Sequence, residues 1–259
     1  MEIILEIFVG FVLASFIGLT GIGGAILLNP VLIHGFGLAP VVSVGTCLVF
    51  IFITKIFGSL SHSKLKNIHY KACIYFLIGA FPGLVTFSNL LNHFYSIYDK
   101  VTIDYYLKLL MGIIILISAL ILGKQTLKNQ CTDSMNLELS KKSLFLLIIF
   151  GFFTGSIIGL TSIGGGVFVI PILICILGIR ASQAVGSSIL ISLVLSFAGG
   201  FVYLLSGNIK LLTAIFLSIG SFPGILLGSY ISTTINDRVL KIIMLLLILT
   251  SGFSLIFMS

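Results

Sequence analysis

Long apolar stretches separated by short polar segments make up most of this chain. Residues 7–54 contain no Lys, Arg, Asp or Glu, and neither do residues 143–179, 181–209, 211–236 and 242–259. A helix of about 20 apolar residues crosses the hydrocarbon core of a bilayer, and the sequence lacks the ten-residue alternation of a membrane β-barrel. The pattern therefore predicts an all-α polytopic membrane protein.

Two parts of the chain do not divide into whole spans. The run 143–179 is too long for one crossing and too short for two crossings with a turn, and residues 3–60 pose the same problem. A glycine-rich segment interrupts each part, "GLTGIGG" in the first and "GLTSIGGG" in the second. We expect a full helix before each break and a short helix after it, over about 25–33 and 167–176. The chain then has 8 full transmembrane helices and two short ones, which are either broken or re-entrant.

The two breaks belong to an internal repeat. Gly18 to Gly37 aligns without gaps on Gly159 to Gly178, an offset of 141 residues, and ten of the twenty positions are identical. The register continues to "IGAFPG" and "IGSFPG" and then slips by eight, where "LKLLM" matches "LKIIM". We infer a duplication with a first transmembrane repeat over 1–123, a polar cytoplasmic linker over 124–142 and a second transmembrane repeat over 143–259.

Two arrangements of the repeats stay open. If the short helices are re-entrant, each half crosses four times and the halves are parallel; if they complete a crossing, each half crosses five times and the halves are inverted. The inverted arrangement places eleven Lys and Arg residues on the cytoplasmic side and three on the outside. The parallel arrangement places nine on the cytoplasmic side and five on the outside. The positive-inside rule thus favours inversion, whereas the lengths of the segments favour the parallel arrangement.

Composition and charge agree with the membrane class. Hydrophobic residues make up 58% of the 259 residues and charged residues 8%, which is far from the composition of soluble domains. The net charge of +7 comes from basic residues in the loops, so we expect the lipid bilayer as a partner and no nucleic acid. The four cysteines have no paired spacing, and no catalytic or metal-ligating arrangement emerges. The sequence therefore predicts no metal, no cofactor, no catalytic residue and no enzyme activity.

Each break has the features of an anion site. Glycines open the backbone, and the half-helix that follows presents free N–H groups and the positive end of its dipole. Paired by the repeat near the middle of the membrane, the two breaks would form one site for a small anion. The candidate substrate-binding residues are Thr20, Gly21, Gly23, Gly24, Asn29, Thr46, Thr161, Ser162, Gly164, Gly165, Gly166, Ser187 and Ser188.

Plainer roles compete with this one. The glycines would also let helices pack closely, and hydroxyls in membrane helices commonly bond to their own backbone. Asn29 is one of two things. Either it is a ligand in the first repeat alone, because its counterpart in the second repeat is the apolar Ile170, or it hydrogen-bonds locally to a backbone carbonyl that Pro30 leaves without its helical partner. No Asp or Glu lies deep in an apolar stretch, and Lys55, the one cation well inside a long run, is expected to reach toward the basic loop.

The duplicated "GLTGIGGAILLNP" and "GLTSIGGGVFVIP", with the later "SVGTC", "AVGSS" and "FPG" segments, resemble the TauE/SafE family of sulfite exporters, also called sulfonate uptake permeases. The resemblance covers nearly the whole chain. It implies a multi-pass transporter in the cytoplasmic (inner) membrane for sulfur-containing anions such as sulfite or organosulfonates. We thus expect a secondary transporter that works by alternating access; an anion channel and a carrier of an unrelated small organic anion are the alternatives, and a homo-oligomer stays open.

Overall fold

The computed structural model describes residues 2–20, 23–64, 68–127, 141–179, 181–232 and 237–257, and every regular element in these ranges is a helix. In chain order the helices are α1 (Glu2–Thr20), α2 (Ala25–Pro30), α3 (Pro40–Lys64), α4 (Tyr70–Ile97), α5 (Lys100–Leu127), α6 (Lys141–Thr161), α7 (Val169–Leu177), α8 (Ala181–Leu205), α9 (Leu211–Ser232) and α10 (Asp237–Phe257). A π-helical turn, Val31–Gly35, directly follows α2. The predicted all-α class is confirmed, and short helices follow both glycine segments.

Within the described ranges, five helices are long and apolar enough to cross a membrane. They are Tyr70–Ile97, Lys100–Leu120, Lys142–Thr161, Gln183–Leu205 and Leu211–Gly228. Four further apolar helices have 10–17 residues: Ile3–Gly18, Ala25–Gly35, Pro40–Ile56 and Leu245–Phe257. The structure thus supports a multi-pass membrane protein, and the count of eight full spans stays a prediction.

The second break is a sharp change of backbone direction. The break was expected to begin at Gly159, but helix α6 continues through Thr161, so Gly159 is helical. The chain then turns at Ser162, with a φ of 58°, and at Gly164, with a φ of 143°. Glycine adopts the second value without strain, whereas a left-handed serine is uncommon and costs free energy. The break therefore begins at Ser162.

Two pairs of helices pack with their backbones in direct contact. Helix α1 lies against α9, and α4 lies against α6. A methyl group added at Gly220 would overlap the carbonyl oxygen of Ile7, and one added at Gly79 would overlap that of Ile148. These two contacts differ by 141 residues on each side (220 − 79 and 148 − 7), the offset of the sequence repeat. Small residues permit such close helix packing in membranes.

Helices α3 and α8 occupy equivalent places in the two predicted repeats and run antiparallel to each other. Gly45, near the start of α3, contacts Tyr203, near the end of α8. Further along α3, the ring of Phe52 lies 5.2 Å from that of Phe197, which comes earlier in α8. The residue numbers rise on one helix as they fall on the other, so the two helices cross in opposite directions.

The same relation holds between α5 and α10. A methyl group added at Gly112 would lie 2.5 Å from the side chain of Ile256, whereas one added at Gly252 would lie 2.9 Å from the side chain of Leu116. These helices are therefore antiparallel as well. Antiparallel packing of equivalent helices is the geometry expected when a two-fold axis lies in the membrane plane.

We predict that Gly79→Ala and Gly220→Ala each lower the free energy of unfolding by about 1–3 kcal/mol, because the added methyl group forces two helix backbones apart. Thermal melting of the detergent-purified protein, followed by circular dichroism, measures the loss. The control is Gly35→Ala, whose methyl group would meet only the side chain of Val31, at an ordinary 3.6 Å. Unchanged melting of both helix variants would contradict the close packing described above.

Candidate functional site

The two glycine segments meet each other across a small cavity. A methyl group added at Gly23 would lie 3.8 Å from the amide nitrogen of Gly166. The cavity beside them has a volume of about 20 Å³, which is room for about one water molecule. Six of the predicted site residues line it: Gly23, Gly24, Ser162, Gly164, Gly165 and Gly166. The structure thus brings together the two segments that the sequence paired.

The lining of this cavity consists largely of residues at equivalent positions of the two predicted repeats. The pairs that differ by 141 residues are Gly23 with Gly164, Gly24 with Gly165, Ala25 with Gly166, Ile26 with Val167, Ile51 with Ser192 and Lys55 with Ser196. The cavity therefore lies between matching segments of the two halves. Helices α3 and α8 supply the last two pairs near the middle of their lengths.

Asn29 links the two breaks. Its side-chain amide nitrogen donates to the carbonyl oxygen of Thr161 at 3.0 Å and to Oγ of Ser162 at 3.1 Å. Its amide oxygen accepts from Oγ of Ser43 at 3.0 Å. Asn29 is completely buried and does not line the cavity. The side chain is thus neither a local partner for its own helix nor in contact with the cavity, but a cross-link from α2 to the end of α6.

Other side chains also satisfy the open end of α6. The last carbonyl groups of a helix have no partner within it, and the carbonyl oxygen of Gly159 accepts from the hydroxyl of Tyr203 at 2.7 Å and from that of Ser88 at 3.1 Å. These donors come from α8 and α4. A helix end inside the bundle is therefore stable because neighbouring helices supply its missing hydrogen bonds.

The backbone amides of the second break remain available. Within the described ranges, the N–H groups of Gly165 and Gly166 donate to no acceptor. Two residues later, the N–H group of Phe168 donates to the carbonyl oxygen of Gly164 at 3.3 Å. Helix α7 follows with nine residues, so its positive dipole end points back to this segment. The close approach of Ser192 leaves no space for a side chain at position 165.

The three serine hydroxyls of the lining are already used as donors. Ser162 donates to the carbonyl oxygen of Thr161, the residue before it. Ser192 and Ser196 donate to backbone carbonyls one turn earlier in α8, at 2.7 Å and 3.1 Å. Local bonding of this kind is common for hydroxyls in membrane helices. In this conformation the hydroxyl hydrogens of the three serines are therefore already engaged by backbone carbonyls.

Two other predicted hydroxyls bind backbone groups of the opposite half. Oγ1 of Thr46 accepts from the amide nitrogen of Lys210 at 3.0 Å, just before α9. Oγ of Ser187 accepts from the amide nitrogen of His69 at 2.9 Å, just before α4. The two bonds are equivalent at the offset of 141 residues (187 − 46 and 210 − 69). These hydroxyls are away from the cavity lining and connect the halves.

The remaining predicted residues take no part in the lining. The hydroxyls of Thr161 and Ser188 donate to carbonyl oxygens in their own helices, at 2.7 Å and 2.8 Å. Gly21 and the side chain of Thr20 lie outside the described residues. The prediction that Thr20 and Gly21 contact a substrate stays a prediction.

Sequence reasoning missed three polar residues of the lining: Lys55, Ser192 and Ser196. Lys55 was expected to reach toward the basic loop, but it lies nine residues before the end of α3, which is about 14 Å along the helix axis, and it lines the cavity. The repeat offset pairs Lys55 with Ser196. That pairing of polar residues inside apolar helices is the signal in the sequence that could have identified Lys55 and Ser196, whereas Ser192 pairs with the apolar Ile51 and had no such signal.

Comparisons with known proteins agree with these features. A family model for the sulfite exporter TauE/SafE family matches residues 6–255. The chain is 37% identical over 258 residues to the probable membrane transporter protein YjnA of Bacillus subtilis, an alignment that covers 96% of this chain and 98% of that protein. It is 30% identical over 256 residues to the probable membrane transporter protein MJ0441 of Methanocaldococcus jannaschii, covering 93% and 90% of the two chains.

No solved structure matches the chain significantly. The family match extends over almost the whole length and includes both glycine segments. The chain is therefore a multi-pass membrane transporter that belongs to the sulfite exporter TauE/SafE family.

Proposed function

We propose that this protein is a secondary transporter for small anions, with sulfur-containing oxyanions such as sulfite or organosulfonates as its substrates, in the cytoplasmic (inner) membrane. One observation carries the proposal: two glycine segments meet at a cavity that presents free backbone amides and a lysine. No carboxylate belongs to this described lining. Such a surface attracts negative charge and disfavours cations.

The family supports the choice of substrate. The family is described as one of sulfite exporters, and the relatives in Bacillus subtilis and Methanocaldococcus jannaschii are named as probable membrane transporters without a substrate. The names of these relatives favour transport over an enzymatic role. Sulfite and the sulfonates share a compact group of oxygens around sulfur, which suits binding by several N–H donors.

The size of the cavity favours a carrier over a channel. A volume of about 20 Å³ accommodates about one water molecule, less than any sulfur oxyanion occupies. The lining must therefore separate before a substrate binds, and in this conformation the cavity is no open pore. In a carrier that opens alternately to the two sides of the membrane, the residues around the site separate in every transport cycle.

The helix directions favour two inverted repeats, with 1–123 and 143–259 as the halves. Equivalent helices, α3 with α8 and α5 with α10, pack antiparallel, as an axis in the membrane plane requires. Rocking of one half against the other would then open the cavity to one side or the other. Thr46 and Ser187, which bond to the opposite half, are positioned to break and remake contacts in this motion.

We predict saturable sulfite or methanesulfonate flux in proteoliposomes that contain the purified protein, and a loss of that flux of at least about tenfold in Gly23→Ala. The added methyl group fits sterically, at 3.8 Å from the amide nitrogen of Gly166. It would nevertheless cover an N–H group proposed to bind the anion, which costs a charge-assisted hydrogen bond. Filter-binding flux assays with labelled substrate measure the effect.

Gly35→Ala is the matched control, because its methyl group has ordinary space away from the cavity, and its flux should equal that of the wild type. Absence of saturable flux for sulfite and for every sulfonate tried would refute the proposed function. Flux that rises linearly with concentration, together with unitary currents, would indicate a channel instead.

We further predict that Asn29→Ala lowers the free energy of unfolding by about 1–3 kcal/mol, because it leaves the buried carbonyl oxygen of Thr161 with one partner fewer. Ser43→Ala removes only one of the three bonds of Asn29 and should cost about 0.5–1.5 kcal/mol. Thermal melting in detergent compares the two. Equal melting temperatures for Asn29→Ala and the wild type would show that the cross-link between the breaks is dispensable.

A further inference from the structure

Lys55 is a cation placed in an apolar helix at the cavity between the two glycine segments. It lines that cavity and is only partly exposed. Within the described part of the chain, no carboxylate pairs with it and no acceptor hydrogen-bonds it. An ammonium group without a counter-ion inside a membrane protein is energetically unfavourable and is a mark of function.

Among the described residues, the rest of the cavity lacks a group that would neutralise this charge. The described lining contains no Asp or Glu, and its three serine hydroxyls donate to backbone carbonyls. The hydrogens that remain for a ligand are those of Lys55 and of the amides of Gly165 and Gly166. All of these donors favour an anion, and the ammonium form of Lys55 carries a full positive charge.

We propose that Lys55 binds the transported anion and restricts the substrates to monovalent anions, such as hydrogensulfite or a simple monosulfonate. This inference rests on the proposed anion site in the same cavity. One ammonium group balances one negative charge, so the bound pair is neutral. A divalent anion such as sulfate leaves an uncompensated charge in a medium of low dielectric constant, where it is strongly disfavoured.

The repeat makes this charge asymmetric. The residue equivalent to Lys55 is Ser196 (196 − 55 = 141), and it lines the same cavity from the opposite helix. The two halves thus present nearly matching glycine segments, and Lys55 is the one cation among the described residues of the lining. A cation moved to position 196 would face the same cavity from the other side, which gives a direct test that the charge itself matters.

The experiment measures methanesulfonate transport and its competition by sulfate in proteoliposomes. For the wild type we expect methanesulfonate to bind at least about tenfold more tightly than sulfate. Lys55→Met should raise the methanesulfonate KM about 10- to 100-fold, the range for losing a hydrogen bond to a charged group. Lys55→Arg, which keeps the charge, should stay within about threefold of the wild type. Lys71→Met removes an exposed lysine from the start of α4 and should change nothing.

The double variant Lys55→Ser, Ser196→Lys moves the cation across the cavity and should recover most of the lost affinity. This variant also decides the question if Lys55→Met does not fold, as judged by size-exclusion chromatography. If the wild type transports methanesulfonate and Lys55→Met has the same KM as the wild type, the role of Lys55 is refuted and the proposed function is unaffected. Equal affinity of the wild type for sulfate and methanesulfonate overturns the restriction to monovalent anions. No flux in the wild type would instead refute the proposed function.

Discussion

A helix that ends within a membrane leaves backbone N–H and C=O groups without partners, and water is not there to replace them. Much of this structure can be understood from how that problem is met. The carbonyl oxygens at the end of α6 receive hydrogen bonds from Asn29, Tyr203 and Ser88, which come from three different helices. Acceptors are thus satisfied at the second break, whereas the amides of Gly165 and Gly166 are not. The imbalance leaves two amide donors without partners in residues that line the cavity, and the proposed anion site rests on them.

The same solution ties the two halves of the molecule together. Asn29 belongs to the first half and bonds to the second, and Thr46 and Ser187 each bond to the start of a helix in the opposite half. Glycines in α4 and α9 allow backbone contact with α6 and α1. The cavity therefore depends on both halves at once, and neither glycine segment forms the lining by itself. A site built in this way responds to any relative movement of the halves.

The sequence predicted that a break and a short helix follow each long helix, because glycine, proline and the length of an apolar run act locally. Both long helices nevertheless continue three residues further than expected, to Thr20 and Thr161. Of the polar residues that line the cavity, the sequence predicted Ser162 but not Lys55, Ser192 or Ser196. Helices in lipid are apolar on all sides, so the periodicity that shows the buried face of a helix in water is weak here. Thr46 and Ser187 accept hydrogen bonds from backbone groups just before α9 and α4, and their predicted role as ligands stays a prediction. Lys55 was expected to reach toward the basic loop and lines the cavity. Contacts between distant segments, such as that of Asn29 with Thr161, depend on the packing of whole helices.

We propose that the anion binds between the two glycine segments, against the amides of the second and the ammonium group of Lys55. The decisive experiment is a structure of the protein determined with saturating methanesulfonate. We expect sulfonate density between Gly23 and Gly166, within hydrogen-bond distance of Lys55, in a cavity enlarged beyond its present volume of about 20 Å³. Ordered sulfonate bound elsewhere in the helix bundle, with the two glycine segments still in contact, would contradict it.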